Sequence, residues 1–143
     1  IIMDKYMNAN IVFSKFARSY MELKKDLPIR PSEMAVLSII TQHVGKFTPI
    51  MIAELLGVSK SMITAHIRVL LKNGYILKEL SENDKRSFYI LPTDKAVALA
   101  DKFNVKQTEY LKTIETKLGK PEFEQLVDLL GKTVQALENK PHL

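Results

Sequence analysis

Two short apolar-periodic segments flank Gly57-Val58-Ser59, and two β-rich runs then flank a charged tip at Ser81–Arg86. Together these predict a mainly α-helical chain with a small β-wing, in which a winged helix-turn-helix lobe carries N- and C-terminal helices suited to dimerisation. A third observation sets the division. Helical spacing after Thr93 runs on to Gly119, about 35–40 Å at 1.5 Å per residue, which is too long for so small a lobe to cover. The expected boundaries are therefore residues 31–92 for the lobe, and residues 1–30 with 93–143 for the dimerisation region.

The first element follows from Tyr6, Ala9, Phe13, Phe16, Ala17, Tyr20 and Leu23, spaced three and four apart between Asp4 and about Lys25. That spacing makes an amphipathic helix with an aromatic stripe. Leu27-Pro28-Ile29-Arg30-Pro31 stops it, and Pro31 suits the first position of a second helix, where its missing N–H costs nothing. Met34, Val36, Leu37, Ile40 and Val44 carry that helix to Gly45. Thr48-Pro49 repeats the device for a short helix through Ile52, Ala53, Leu55 and Leu56, which Gly57 closes. Ser59 caps the next helix, whose Ile63, Ile67, Leu70 and Leu71 share one face while Ser61, Thr64, Ala65, Arg68 and Lys72 point elsewhere. Tyr75–Leu80 and Ser87–Leu91 then read as hairpin strands. Ala96, Leu99, Ala100, Phe103, Gln107, Tyr110, Leu111, Ile114 and Leu118 form the stripe of the long helix. A last helix opens near Pro121 with Phe123, Leu126, Val127, Leu130, Val134 and Leu137. Terminal helices with apolar faces and no remaining partner in the chain argue for a second copy.

Composition removes several function classes. The chain of 143 residues is 46% hydrophobic and has no cysteine, so disulfides, thiolate catalysis, zinc-thiolate sites and thiol redox sensing are excluded. Its net charge of +5 is placed unevenly: six basic residues oppose three acidic ones from Gly57 to Leu91, giving +3. Seven oppose eight from Pro92 to Asn139, giving −1. Positive potential thus gathers on the lobe, as displacement of counterions from phosphates requires. No apolar run approaches the roughly 20 residues of a membrane span, and no basic-then-apolar leader is visible, so no membrane partner is expected and the expected location is the cytoplasm.

Four landmarks fall in register along the chain. They are the helix opening Pro31-Ser32-Glu33-Met34-Ala35-Val36-Leu37, the helix-turn Ile52-Ala53-Glu54-Leu55-Leu56-Gly57-Val58-Ser59, the strand approach Leu70-Leu71-Lys72-Asn73-Gly74-Tyr75-Ile76, and Asp84-Lys85-Arg86 in the wing. The last is an Asp-x-Arg seven residues before the helix-capping Thr93. In this order they make the chain resemble the multiple antibiotic resistance regulator (MarR) family of bacterial transcription factors over nearly its whole length. The resemblance implies a homodimer whose first and last helices intertwine, with two winged lobes on a palindromic site in double-stranded DNA. It also implies, in many members, a crevice for a small-molecule effector between lobes and dimer helices. Three positions depart from the family pattern. Ala65 stands where an Arg often follows the Thr of the reading helix, Pro92 and Ala96 replace Leu and Gly around Thr93, and Arg30 precedes Pro31 where a hydroxyl is usual. The first bears on operator sequence and the other two on local geometry.

The candidate DNA contacts lie in two groups. At the start of the reading helix, free N–H groups, the Ser59 and Ser61 hydroxyls and the Lys60 charge suit a phosphate, even with Ser59 also serving as a cap. Further along, Arg68 and Lys72 can reach backbone or bases, or form a plain solvated face. Thr64 and Ala65 offer methyl groups to thymine, while His66 either donates to a base edge or flanks the packed face. On the wing, the Arg86 guanidinium suits a narrow, electronegative minor groove, held by a charge-assisted hydrogen bond that it donates to Asp84, with Asn83 and Lys85 as neighbouring backbone contacts. In the implied crevice, the aromatic stripe reads as dimer interface, with Phe16 and Tyr20 as lining beside Met34 and His43. His43, His66 and His142 lack ligand-like spacing, so no metal is expected. No cofactor is expected either.

The leading reading is a homodimeric transcriptional repressor released by a ligand that changes lobe separation. The alternative is a winged-helix protein-interaction or architectural module with weak DNA binding. An enzyme finds no nucleophile–base–orienter set and no Gly-rich phosphate loop.

Overall fold

The computed structural model describes residues 4–84 and 86–138. Lys85 and His142 lie outside the described residues. The elements run α1 (Lys5–Glu22), α2 (Pro31–Gln42), α3 (Pro49–Leu56), α4 (Lys60–Lys72), β1 (Ile76–Leu80), β2 (Phe88–Pro92), α5 (Asp94–Leu118) and α6 (Lys120–Glu138). Contacts divide the chain into two compact units, Ile1–Phe103 and Asn104–Leu143.

In the first unit, α2, α3 and α4 pack around Met34, Val36, Leu37, Ile52, Ile63, Ile67 and Leu70, all buried. Ile76 and Ile90 from the wing, and Ala96, Ala100 and Phe103 from α5, close this core. The helix starts follow capping chemistry. Asp4 Oδ1 accepts the Met7 N–H at 2.7 Å, and Thr48 Oγ1 accepts the Met51 N–H at 3.3 Å. Arg30 carries only donors and cannot cap α2 with its side chain. The buried Glu33 compensates from the third helical position by accepting the Arg30 N–H at 2.9 Å. The α1 stripe finds little cover: α1 has no buried residue, and Tyr6 and Phe13 are 73% and 71% exposed.

The wing is an antiparallel pair with Ile76 opposite Pro92 and Leu80 opposite Phe88. Pro92, which has no N–H for the ladder, falls on the last rung, where the loss is tolerated. Beyond the expected hairpin, Phe47 bridges to Ile90, whose N–H donates to the Phe47 carbonyl at 2.8 Å. The loop after α2 is thereby tied to the wing. In the second unit, α5 ends at Gly119 with φ +90°, and Pro121 falls at the second position of α6. Among the described residues, no single helix is long and apolar enough to cross a membrane.

Candidate nucleic-acid interface

The helix-turn-helix geometry comes from a sharp turn. Gly57 sits at φ +67°, a left-handed conformation in which a Cβ would be strained. Its N–H and that of Val58 satisfy the end of α3, the latter donating to the Ala53 carbonyl at 3.0 Å. The chain then bends by 116° into α4, within the range usual for such motifs. Ser59 caps α4 by accepting the Met62 N–H at 3.2 Å, and its hydroxyl lies 3.2 Å from that of Ser61.

The α4 helix presents two faces, as its periodicity requires. Ile63, Ile67 and Leu70 are buried, while Ser61, Thr64, Ala65, Arg68 and Lys72 are exposed. The Thr64 hydroxyl donates back to the Lys60 carbonyl at 2.8 Å, which leaves its methyl as the group open to an apolar contact. A shallow, open hollow follows Lys60, Ser61, Thr64, Ala65 and Arg68. His66 differs from these: it is half-buried, and among the described residues its buried Nε2 has no hydrogen-bond partner. That nitrogen is turned from solvent, so His66 flanks the packed face.

The wing tip is ordered from within. Asp84 Oδ1 accepts the Arg86 backbone N–H at 2.9 Å, and the Ser87 N–H donates to the Asp84 carbonyl at 3.0 Å. The carboxylate thus braces the main chain. The expected ion pair with the Arg86 guanidinium is not formed among the described residues, because a short Asp side chain two residues back meets the nearer backbone N–H first. Asn83, Asp84 and Arg86 are all exposed.

Between the helix-turn-helix and the wing lies a cleft of about 880 Å³ whose walls include Lys60, Thr64, Lys78, Arg86 and Phe88. Lys78 was missing from the sequence-derived set. Its Nζ stands 4.4 Å from the centre of the Phe88 ring, and it also lines a smaller hollow with Thr64 and Arg68. Strand register was the signal for it: Lys78 faces Ile90, so Phe88 is its diagonal neighbour on the same side. On the other side, Lys46 pairs with Glu79 at 2.7 Å and lies over Tyr89. The hydrogen bond that Lys46 donates to the Glu79 carboxylate, and then the charge of that carboxylate, raise the Lys46 pKa above the ordinary lysine value. Lys46 is thereby engaged by a carboxylate of the wing itself.

The residues read as crevice lining lie in distinct settings. Phe16 and Tyr20 form a tilted ring pair with centres 6.0 Å apart, and Met34 is 1% exposed in the core. His43 Nδ1 is 3.0 Å from the Ile39 carbonyl, and its ring meets the edge of Phe47 at 6.2 Å. Among the described residues, no group of three His, Cys, Asp or Glu is placed to hold a metal ion.

Comparison with known proteins agrees with this arrangement. Residues 29–88 match the sequence model of the MarR family. No curated protein matches by sequence. Among solved structures, Streptococcus pneumoniae FabT in complex with DNA is similar with a TM-score of 0.80 at 20% identity, over 95% of this chain and 99% of that one. The DNA complex of Staphylococcus aureus MepR gives 0.77 at 18% identity, over 94% and 99%. A mutant MarR from E. coli gives 0.70 at 21% identity, over 94% and 98%. Their common fold is the one described above. Residues 29–88, which hold the helix-turn-helix and most of the wing, thus match the MarR family, and the chain shares its fold with FabT, MepR and MarR.

Proposed function

We propose that this chain is a MarR-family transcription regulator that acts as a homodimeric repressor, with residues 31–92 as the reading lobe and residues 1–30 and 93–143 as the dimerisation region. One observation carries the DNA-reading assignment. Lys60 at the start of α4 and Arg86 at the wing tip stand on the walls of one cleft, so a single lobe offers cations from two elements to one duplex. In this reading, Ser59, Lys60 and Ser61 meet a phosphate, and Thr64, Ala65, Arg68 and Lys72 face the major groove. Asn83, Lys85 and Arg86 meet the adjacent backbone and minor groove, with Asp84 setting the shape of the tip.

Two such lobes must enter successive major grooves about 34–36 Å apart, so the operator is a pseudo-palindrome. A small-molecule effector would release the DNA by favouring a different lobe separation. That FabT and MepR have each been solved with DNA supports the partner assignment. The working location is the cytoplasm, where the DNA is.

The test is selection of genomic fragments by the purified chain, followed by binding of the recovered duplex across a salt series. A single pseudo-palindrome with a steep salt slope, and a marked loss for Arg86→Ala, are expected. Recovery of nothing beyond random sequence would sink the reading and favour a protein-interaction module.

A further inference from the structure

The C-terminal end of α4 is held by the first turn of α5. The helix closes in a Schellman arrangement: Tyr75 N–H donates to the Leu70 carbonyl at 3.0 Å and Gly74 N–H to the Leu71 carbonyl at 3.2 Å, with Gly74 at φ +76°. The next three carbonyls, those of Asn73, Gly74 and Tyr75, all receive donors from residues 93–95. The Thr93 hydroxyl lies within donating distance of the Gly74 and Tyr75 carbonyls, at 2.8 and 3.1 Å, and the Thr93 N–H also donates to Tyr75 at 3.0 Å. Thr93 Oγ1 in turn accepts the Ala96 N–H at 3.3 Å, so the same side chain caps α5. Lys95 Nζ donates to the Asn73 carbonyl at 2.8 Å and stands 4.4 Å from the centre of the buried Tyr75 ring.

The position of Lys95 is unfavourable by local rules. It is the second residue of α5, where the aligned peptide dipoles disfavour a cation. Its ammonium instead reaches the opposite kind of helix end, the C-terminus of α4, where a cation is favoured. A residue that works against its own helix and for a neighbouring one couples the two. The mechanical consequence is large for a small motion. The 13 residues of α4 span about 20 Å, so a 5° tilt about its C-terminus moves its start by about 1.7 Å. Hydrogen bonds to base edges do not survive such a shift.

We propose that Lys95, acting with Thr93, is a positioning residue for DNA reading: it fixes the direction of α4 against α5 without touching DNA. The inference rests on the DNA-reading assignment above and goes beyond the residues that face the groove. It is tested on the full chain with Lys95→Met, which keeps an apolar stem over Tyr75 but removes the charge, and with Lys95→Arg. The probes are a duplex selected by the wild-type chain from a randomised pool and a random-sequence duplex, each titrated over a salt series, with thermal unfolding measured alongside. Loss of one base contact corresponds to about tenfold in affinity. Lys95→Met is expected to lose about that much on the selected duplex, hold its affinity on the random duplex, keep the wild-type salt slope and unfold within about 2 °C of wild type. Lys95→Arg is expected to restore discrimination. Wild-type discrimination by Lys95→Met would overturn the proposal. So would equal loss on both duplexes with the salt slope lowered by about one, since that marks a phosphate contact. A loss that tracks a lowered unfolding temperature, without rescue by Lys95→Arg, would reduce Lys95 to a structural brace. If the wild-type chain itself does not distinguish the two duplexes, the DNA-reading assignment fails and this inference falls with it.

Discussion

At the scale of single residues, the wing separates cations by what already engages them. Lys46 is paired with Glu79 at 2.7 Å, whereas Lys78 rests on the Phe88 ring within the cleft that Arg86 shares. A lysine that displaces a counterion from DNA adds about 0.9 to the salt slope. Lys78→Ala is therefore expected to lower the slope by about one and weaken binding evenly across sequences, while Lys46→Ala leaves the slope within error. Titrations at several salt concentrations would show it, and equal slopes for the two variants would remove Lys78 from the interface. Sequence reading reached Arg86 because an Asp-x-Arg at a hairpin tip is a local pattern. It missed Lys78 because only strand register tells which side of the wing a residue takes. Asp84 was legible as a partner of Arg86 but at the wrong atom, since residue spacing alone does not distinguish a guanidinium from the backbone N–H nearer to the carboxylate.

At the scale of elements, caps and breakers carried most of the information. Asp4, Thr48 and Ser59 each accept the N–H three residues on; Thr48 and Ser59 are read as caps from the sequence, whereas Asp4 enters there only as the start of its segment. The Phe47 bridge was not readable: a single bridging residue has no periodicity, and it exists only because Ile90 comes alongside in the folded lobe. Gly57 is the most exacting position of the helix-turn-helix. A Cβ built there meets nothing within 4 Å, so substitution exacts only the backbone cost of the left-handed conformation. Gly57→Ala should therefore destabilise by about 1–2 kcal/mol, and Gly57→Asn by less, because Asn visits that region more readily. Urea unfolding of the two variants checks this. Equal losses would mean that the turn selects glycine for a reason other than its dihedral angles.

At the scale of the whole molecule, the proposed dimer rests on an apolar stripe that α6 leaves uncovered among the described residues. Along α6, Val127, Leu130, Val134 and Leu137 recur at intervals of three and four and are 52%, 44%, 53% and 63% exposed. Such a stripe on a 19-residue helix matches the seam of paired helices, and a lone helix would leave it in water. If the seam meets its equivalent across a two-fold axis, a substitution there acts twice, once from each subunit. Val134→Glu would then place two carboxylates in an apolar interface, and breaking it by even about 3 kcal/mol raises the dimer dissociation constant more than 100-fold. Sedimentation equilibrium should find a dimer for the wild type and a largely monomeric variant at the same concentration. Circular dichroism should stay near wild type wherever the reading lobe, with its own buried core, folds without the partner. The same variant should lose most of its affinity for a full pseudo-palindrome and little for a single half-site, because only the two-lobe contact depends on the seam. A wild-type chain that sediments as a monomer while binding the full site tightly would refute the two-lobe mechanism and leave the α6 stripe to some other partner.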